Sequence, residues 1–421
     1  MKKKSTFQKL KERIKIAFEV RLCHFVDKLA ISTTNYNLTK NSLLIIRLDA
    51  IGDYILFRNF LEELAKDDVY KNYKRVLCGN VMWKSLFEEW DKDTVNDVIW
   101  IDRQKFYQNP MYRYQKQKEI RKQGFEIAIE STYSRLLLFG DVIAKVSNAE
   151  KRIGNAGNTD NLIPKEKELA DSFYTQLLET PNKPIFEFDR NKIFFEKFLD
   201  RKIDLKYPSL INKIEEKEKK QNQIALFIGA SETYKTWYFE NFAQLILELY
   251  YINNELRFVL IGGKNEQILA QNIIDFIELN GNNFDIQSKF VNKLSLPLSV
   301  SSLTTYNIHD LTGKTNLIEL TQIIAQSNLL ITNETVASHL GAATQTKTIC
   351  IANGRHIGRF SPYPNEYNLP ISYIFPPKIE EELNQNDKEI VFEKYCDSMG
   401  DDINEIGVER VLAEVKKVWK V

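Results

Sequence analysis

The chain has 421 residues, of which 43% are hydrophobic and 27% are charged, and its formal net charge is +1. This composition excludes a disordered chain and predicts two globular domains of roughly 150 to 200 residues each. The balanced charge provides no overall field that would attract nucleic acid, so we expect no nucleic-acid partner.

The cysteines and the hydropathy indicate the cellular compartment. The four cysteines are widely spaced and form no C-x-x-C pair, which predicts neither a zinc site nor a disulfide framework. No apolar run reaches the roughly 18 residues of a membrane span, and the basic N-terminus lacks the features of a signal peptide. We therefore expect a cytoplasmic protein.

The first 40 residues are predicted to contain a basic amphipathic helix. Nine Lys and Arg side chains occur before residue 38, against three Asp and Glu side chains. Apolar residues recur there at spacings of three and four, from Phe7 to Leu29. Two interpretations are open: this apolar stripe packs on the body of the protein, or residues 1–30 lie on an anionic membrane, at the inner face of the inner membrane.

Two series of apolar runs follow, and both alternate with helix-like segments. The first begins at residues 43–48, before a Gly-containing loop and a helical pattern over 54–66, and the second begins at residues 224–228. Further strand-like runs occur at 75–78, 98–101, 126–129, 258–261, 329–332 and 348–351. This alternation predicts α/β domains, each with a doubly wound parallel sheet.

A charged stretch at residues 212–223 separates the two series and is predicted to be a solvated connector. The sequence predicts an N-terminal helix at 1–40 and two Rossmann-like domains at 41–212 and 213–375. A C-terminal extension with a closing helix is predicted at 376–421. Residues 378–402 have no assignable chemistry and are interpreted as a surface insertion, before a final helix predicted at 405–419.

The first loop that carries chemistry follows residues 43–48 and contains Gly52 and Asp53. Loops of this kind line ligand clefts at the carboxyl ends of parallel strands. A carboxylate there can take a proton from a sugar hydroxyl, and the helix N-terminus favours its charged form. The alternative is that Asp53 is only the N-cap that opens the helix.

The second loop contains Gly229-Ala230-Ser231 and Lys235, ahead of a helix expected to begin near Phe239. A hydroxyl and an ammonium group could together bind a diphosphate. This is not a Walker loop, because G-x-x-x-x-G-K is absent. The alternative is an ordinary turn that carries a surface lysine.

The third region spans residues 310–320 and 329–343, where a strand again meets a helix. The backbone N–H groups and the positive dipole end at residues 335–338 would suit a departing diphosphate. His339, one turn inside that helix, is interpreted as a buried histidine with a satisfied partner and not as a catalytic one.

In this order, the three regions resemble glycosyltransferase family 9, the ADP-heptose:lipopolysaccharide heptosyltransferases. The resemblance covers about residues 43–365. Arg47, Gly52 and Asp53 match the family motif R-x-x-x-x-G-D, residues 126–130 match D-L-Q, and residues 151–154 match K-R-I-G. Gly229-Ala230-Ser231 with Lys235 and Trp237 matches G-A-S…K-x-W, and residues 310–315 match D-L-x-G-x-T.

The resemblance implies the GT-B architecture, with two Rossmann-like domains that face each other across a cleft. It implies an inverting, metal-independent transfer of a sugar from a nucleotide-diphosphate donor, ADP-heptose by family default, to lipopolysaccharide or another surface glycan or glycolipid, with no cofactor. Asp53 is then the general base and Arg47 an acceptor-binding residue. The implied donor-binding residues are Ser231, Lys235, Gly313, Glu334 and Thr335.

Two departures from the family pattern leave the donor and the base open. Glu334 and Val336 stand where the family has the D and G of N-D-[ST]-G, and a valine restricts the backbone approach that glycine permits. A hexose or another nucleotide is therefore a possible donor. Asp49 stands where the family has a small residue, and it is a rival to Asp53 as the base.

Two other functions compete with the one that this resemblance implies. A non-catalytic nucleotide-sugar binding protein is the main alternative, and it is favoured by the changes at Glu334 and Val336. A dinucleotide-dependent oxidoreductase would need G-x-G-x-x-G after its first strand, and neither residues 48–53 nor residues 261–264 supply it.

Overall fold

The computed structural model describes residues 6–214, 220, 222–281 and 306–419. The chain divides into two compact units. The first unit extends to Asn182 and continues over Glu187–Leu205, and the second comprises Lys183–Phe186 and the chain from Lys206 onwards.

Two predicted features lie partly outside the described residues. They are the charged connector, at 215–219 and 221, and the start of the basic helix, at 1–5.

The first unit contains a parallel sheet with helices on the connections between its strands. Its described strands are β1 Thr39–Arg47, β2 Lys74–Asn80, β3 Asp97–Ile101, β4 Phe125–Glu130, β5 Lys151–Asn155 and β6 Gln176–Leu178. They pair in the order β3-β2-β1-β4-β5-β6, and every pair is parallel. The order reverses between β1 and β4, and doubly wound sheets bind their ligands at such a switch point.

The first unit also contains helices of 5 to 28 residues. They are α1 Thr6–Thr33, α2 Ile51–Ile55, α3 Asn59–Lys66, α4 Lys84–Trp90, α5 Arg103–Gln108, α6 Pro110–Gln123, α7 Val142–Ser147, α8 Pro164–Asp171 and α9 Glu187–Leu199. In α6, the Asn109 side chain caps the first turn and Pro110 follows it. The same helix ends at Gly124, whose φ of +61° favours glycine.

Helix α1 has two different faces. Cys23, Val26 and Ala30 are buried, and the buried Asp27 accepts a hydrogen bond from Arg113 Nε at 2.6 Å. Four members of the predicted apolar stripe lie on a different face and are exposed, namely Ile14, Phe18, Phe25 and Leu29, whereas Leu22 is half-buried. The interpretation that this stripe packs on the protein is therefore wrong for these four residues, because the helix packs through another face.

The second unit repeats the topology of the first. Its described strands are β7 Gln223–Phe227, β8 Arg257–Ile261, β9 Ile308–Asp310, β10 Leu329–Asn333, β11 Thr348–Ile351 and β12 Ile371–Ile374. They form a parallel sheet in the order β12-β11-β10-β7-β8-β9. The switch point of this sheet lies between β7 and β10.

The helices of the second unit include those of the C-terminal extension. They are α10 Phe239–Ile252, α11 Gln267–Asn280, α12 Leu317–Gln326, α13 Val336–Ala343, α14 Pro377–Gln385, α15 Lys388–Tyr395 and α16 Val408–Trp419. No helix in the described ranges is long and apolar enough to cross a membrane.

Residues 378–402 are not a surface insertion, and that prediction is wrong. Ile379 of α14 and Val391 of α15 are buried in an apolar cluster with Cys350 of β11. The following segment is also part of the fold, since the Ile406 carbonyl accepts a hydrogen bond from Trp237 Nε1 at 2.8 Å. The extension therefore supports the loops that follow β7 and β11.

Candidate active site

At the switch point of the first unit, Arg47 holds the loop that follows β1. The side chain is fully buried, and its Nη1 donates to Ser131 Oγ at 3.2 Å and to Asn191 Oδ1 at 3.1 Å. Its Nε lies 2.9 Å from Asp49 Oδ2. These contacts fix the position of the loop, and the acceptor-binding role of Arg47 stays a prediction.

Asp53 is the third residue of α2, so the alternative that it is the N-cap is wrong. The helix begins at Ile51 and Ala50 is its N-cap. Asp53 Oδ2 accepts a hydrogen bond from the Ala50 N–H at 3.2 Å, which fixes the carboxylate at the positive end of the helix. The residue is half-buried, so its carboxylate is also accessible from solvent.

Asp49, the rival to Asp53, has more contacts with the protein. Besides its ion pair with Arg47, its Oδ2 accepts a hydrogen bond from Thr132 Oγ1 at 3.3 Å, and its side chain is 17% exposed. Asp49 neutralises the buried Arg47 guanidinium, and this ion pair holds the loop in position.

Glu130 adds a third carboxyl group to this switch point, and this one is buried. It ends β4, in register with Ile46 of β1. Its Oε1 accepts a hydrogen bond from the Thr132 N–H at 3.3 Å, and its Oε2 is buried without a hydrogen-bond partner among the described residues. Burial, and next the charge of Asp141, raise the pKa of Glu130 from 4.5 to about 8.

The raised pKa of Glu130 predicts how stability depends on pH. The folded state binds this proton more tightly, so the associated stability is present below pH 4.5 and is lost as the pH rises to about 8. In Glu130→Gln, the amide remains neutral throughout. We expect its melting temperature to match the parent near pH 4.5 and to exceed it increasingly up to pH 8.

Thermal unfolding of both proteins across this pH range measures the effect. Glu119→Gln is a matched control, because Glu119 is an exposed carboxylate on α6. A constant difference between Glu130→Gln and the parent from pH 5 to pH 8 would contradict the raised pKa.

At the switch point of the second unit, Asn333 joins the loops that follow β7 and β10. Its Nδ2 donates to the Ile228 and Gly229 carbonyls at 3.0 and 3.1 Å, and its Oδ1 accepts from the Trp237 N–H at 3.1 Å. The buried amide thus fixes the shape of the segment that carries Ser231 and Lys235.

The structure brings Lys235 and Glu334 together at this point. Lys235 Nζ lies 3.9 Å from Glu334 Oε2, and the two side chains are 14% and 7% exposed. Glu334 Oε1 accepts a hydrogen bond from Ser361 Oγ, while Oε2 has no hydrogen-bond partner in the described part of the chain. Burial raises the pKa of Glu334, and Lys235 opposes this shift.

Thr335 and Ser231 complete the predicted donor residues near these loops. Thr335 is the N-cap of α13, and its Oγ1 accepts from the Ala337 N–H at 3.2 Å. The remaining N–H groups of the first turn are those that bind anions at helix starts. Ser231 is exposed on the β7 loop.

Gly313 lies in the loop that follows β9, the strand at one end of the second sheet. Its backbone has a φ of +65°, and a Cβ there would lie 3.0 Å from Lys264 Cα, so a larger residue would be strained. Its N–H donates to the Gly262 carbonyl at 2.9 Å. These contacts join the loops that follow β8 and β9, and the donor role of Gly313 stays a prediction.

His339 is buried and has a partner, as the sequence predicted. Its Nδ1 lies 3.0 Å from Tyr363 Oη. Burial, and next the charge of Lys235, lower the pKa of His339 to about 4. The ring is therefore neutral near pH 7 and supports the start of α13.

The loop that follows β11 contributes residues that the sequence analysis missed. Arg355 Nη1 donates to Tyr234 Oη, and Arg355 Nε lies 3.1 Å from His356 Nε2. The nearly buried Arg359 belongs to the same loop. The sequence signal for them is two arginines within the eight residues that follow the predicted strand 348–351, because such loops meet at one sheet edge.

A metal ion would have few ligands among the described residues. No cluster of three or more His, Cys, Asp or Glu side chains suitable for a metal ion occurs there.

Comparison with a family model finds a match between residues 299–388 and glycosyltransferase family 9 (heptosyltransferase). No curated protein sequence matches the chain.

Solved structures of low sequence identity share the fold. A glycosyl transferase family 9 protein from Veillonella parvula is 16% identical with a TM-score of 0.62, and the match covers 90% of this chain and 97% of that one. E. coli ADP-heptose lps heptosyltransferase II is 14% identical with a TM-score of 0.57, and the match covers 90% of this chain and 98% of that one. E. coli heptosyltransferase WaaC is 13% identical with a TM-score of 0.60, and the match covers 89% of this chain and 99% of that one.

The matched segment contains Glu334, Thr335 and the loop that carries Arg355. The family match and the shared GT-B fold confirm the predicted resemblance of this chain to glycosyltransferase family 9.

Proposed function

We propose that this protein is an inverting glycosyltransferase that moves a sugar from a nucleotide-diphosphate donor to a surface-glycan acceptor. The observation that carries the proposal is the pair of switch points. One presents a half-buried carboxylate, Asp53, at a helix start. The other places Lys235 and the Thr335-capped helix start on neighbouring loops.

In the proposed reaction, Asp53 takes the proton of an acceptor hydroxyl while the hydroxyl oxygen forms a bond to the anomeric carbon of the donor sugar. The bond from that carbon to the phosphate oxygen breaks, and the nucleoside diphosphate leaves with the electron pair. Lys235 and the N–H groups at the start of α13 stabilise its developing charge. Attack opposite to the leaving group inverts the anomeric configuration.

An ADP-linked heptose is the first donor to test. The structure of WaaC with ADP-2-deoxy-2-fluoro heptose supports this choice for a protein of the same fold. Glu334 and Val336 differ from the family pattern, so GDP- and UDP-linked hexoses belong in the same test.

A thermal-shift panel of nucleotides and nucleotide sugars tests donor binding. A ligand that binds only the folded state increases the free energy of unfolding by mass action, by about 2.7 kcal/mol at one hundred times its Kd, and thereby raises the melting temperature. We expect one nucleoside diphosphate and its sugar to shift the midpoint more than the monophosphate. If no nucleotide shifts it, the proposed function is wrong.

We also propose that the protein is cytoplasmic and that α1 attaches it to the inner face of the inner membrane. The exposed stripe of Ile14, Phe18, Phe25 and Leu29 lies beside Arg21 and Lys28 on the helix, because these positions fall within one broad face at 100° per residue. Apolar side chains flanked by cations are typical of helices that lie in the interface of an anionic bilayer.

The exposed stripe predicts binding to anionic vesicles. We expect the full chain to sediment with phosphatidylglycerol-containing vesicles at low salt and to dissociate at about 1 M salt, where screening acts over roughly 3 Å. Phe18→Ser with Phe25→Ser should abolish binding without unfolding the protein, because both rings are exposed. Val26→Ala is unsuitable, since that residue is buried.

Sedimentation that does not depend on salt, or that is as strong with neutral vesicles as with anionic ones, would contradict electrostatic attachment. A dimer that forms without lipid and is lost in the double variant would assign the stripe to a second copy of the chain.

A further inference from the structure

We propose that Arg355 is a diphosphate-specific ligand of the donor, and this inference rests on the proposed function. Arg355 lies in the loop that follows β11, a segment outside the motifs that carried the family resemblance. Its role would be to distinguish nucleoside diphosphates from monophosphates and to stabilise the departing diphosphate.

The position of the loop supports this role. Strand β11 lies beside β10, so the loop after β11 and the loop after β10 meet at the same edge of the sheet. Ser361 of this loop donates a hydrogen bond to Glu334 after β10. Arg355 itself donates to Tyr234, which directly precedes Lys235 in the β7 loop. The guanidinium is therefore tied to the segment that carries the predicted phosphate-binding lysine.

The partners of Arg355 leave its charge uncompensated. Its Nη1 donates to the Tyr234 hydroxyl, and its Nε donates to His356 Nε2 at 3.1 Å. Its guanidinium carbon lies 5.5 Å from the centroid of the Tyr234 ring. No carboxylate of the described residues forms an ion pair with Arg355, whereas Arg410 of the same unit pairs with Glu380 at 3.0 Å.

His356 holds the guanidinium without neutralising it. Its Nδ1 lies 3.1 Å from the Cys396 carbonyl, which fixes the ring plane. Burial, and next the charge of Lys235, lower the pKa of His356 to about 4. A neutral ring donates through Nδ1 to Cys396 and accepts at Nε2 from Arg355, so both hydrogen bonds are satisfied near pH 7.

The chemistry of the ligand matches this arrangement. A nucleoside diphosphate has a second phosphoryl group that a monophosphate lacks, and a guanidinium binds phosphate oxygens with two parallel N–H bonds. Lys235 offers a point charge for one phosphoryl group. Arg355, oriented by Tyr234 and His356, supplies a second cation with directional donors.

The test measures the affinity of the full chain for ADP, GDP and UDP and for the matching monophosphates, by calorimetric titration. We expect Arg355→Gln to weaken the bound diphosphate about tenfold to a hundredfold, as for a hydrogen bond to a charged group. The affinity for the monophosphate should change less than about threefold, so the ratio of diphosphate affinity to monophosphate affinity should fall. Arg355→Lys should recover only part of this ratio, because lysine restores the charge without the paired N–H donors of a guanidinium.

Arg410→Gln is the matched control, since it removes a paired surface guanidinium from the same unit. Its diphosphate-to-monophosphate ratio should equal that of the parent. A parental ratio in both Arg355 variants, or an equal loss of both nucleotides, would overturn the role of Arg355 and leave the proposed function standing. If the parent protein binds no nucleoside diphosphate, the proposed function itself fails.

Discussion

Replacing Asp53 with asparagine should abolish glycosyl transfer while donor binding and the fold persist. The amide keeps the shape of the carboxylate, and its oxygen can still accept the hydrogen bond from the Ala50 N–H that is 3.2 Å long in the parent. It cannot take the proton of the acceptor, and loss of a general base costs about 10² to 10⁴ in rate. Turnover and nucleotide affinity, measured on the same preparation, test this expectation.

The comparison with Asp49→Asn distinguishes the base from its rival. That variant removes the carboxylate partner of the buried Arg47, so we expect lower stability and a smaller loss of rate. Thermal unfolding of both variants separates lost chemistry from misfolding. A larger loss of rate in a folded Asp49→Asn protein would assign the base to Asp49.

Replacing Lys235 with alanine should weaken binding of the nucleoside diphosphate about tenfold to a hundredfold, the usual cost of a charge-assisted hydrogen bond. A fall in stability should accompany it, because buried Glu334 loses the cation 3.9 Å away. Nucleotide titration and thermal unfolding measure the two effects separately.

The double variant Lys235→Ala with Glu334→Gln separates these effects further. It removes the unpaired buried carboxylate and should recover stability without recovering nucleotide affinity. Lys314→Ala is a matched control, since Lys314 is an exposed lysine of the same unit whose Nζ lies 3.1 Å from Asp310. Parental nucleotide affinity in Lys235→Ala would remove Lys235 from the donor site.

The central strands of both sheets could be predicted because they are buried on both faces. Residues 43–46 of β1 and 329–331 of β10 are continuous apolar runs, as buried parallel strands require. The edge strands β6 and β9 have three residues each and are partly exposed, so their sequences carry no comparable signal. The alternation of strands and helices predicted the doubly wound parallel sheets, since crossovers of parallel strands are strongly restricted, but it did not predict the order of the strands.

The site could be predicted only where a motif is local in sequence. Lys235 and Thr335 belong to the motif-bearing regions, whereas the contact of Arg355 with Tyr234 joins residues 121 positions apart. The cap of α2 shows the same limit on a smaller scale. Asp53 was expected to open the helix, but the helix begins at Ile51 and Asp53 caps it from its third position.

The burial of the C-terminal extension could not be predicted because its apolar residues are spread among charged residues. Ile379 stands between charged residues, and Val391 lies in a run of three apolar residues between charges, so only the β11 cluster that they cover explains why they are buried. Composition therefore indicated a surface segment where tertiary packing forms a small core.

Release of nucleoside diphosphate tests the glycosyltransferase assignment most directly. The full chain would be incubated with ADP-heptose, and with ADP-, GDP- and UDP-hexoses, in the presence of lipopolysaccharide core oligosaccharides, and both the diphosphate and the extended oligosaccharide would be quantified. We predict equal amounts of the two products from one donor, and neither product from Asp53→Asn. A donor that binds the parent protein but is never consumed with any acceptor would contradict transfer and identify a nucleotide-sugar binding protein.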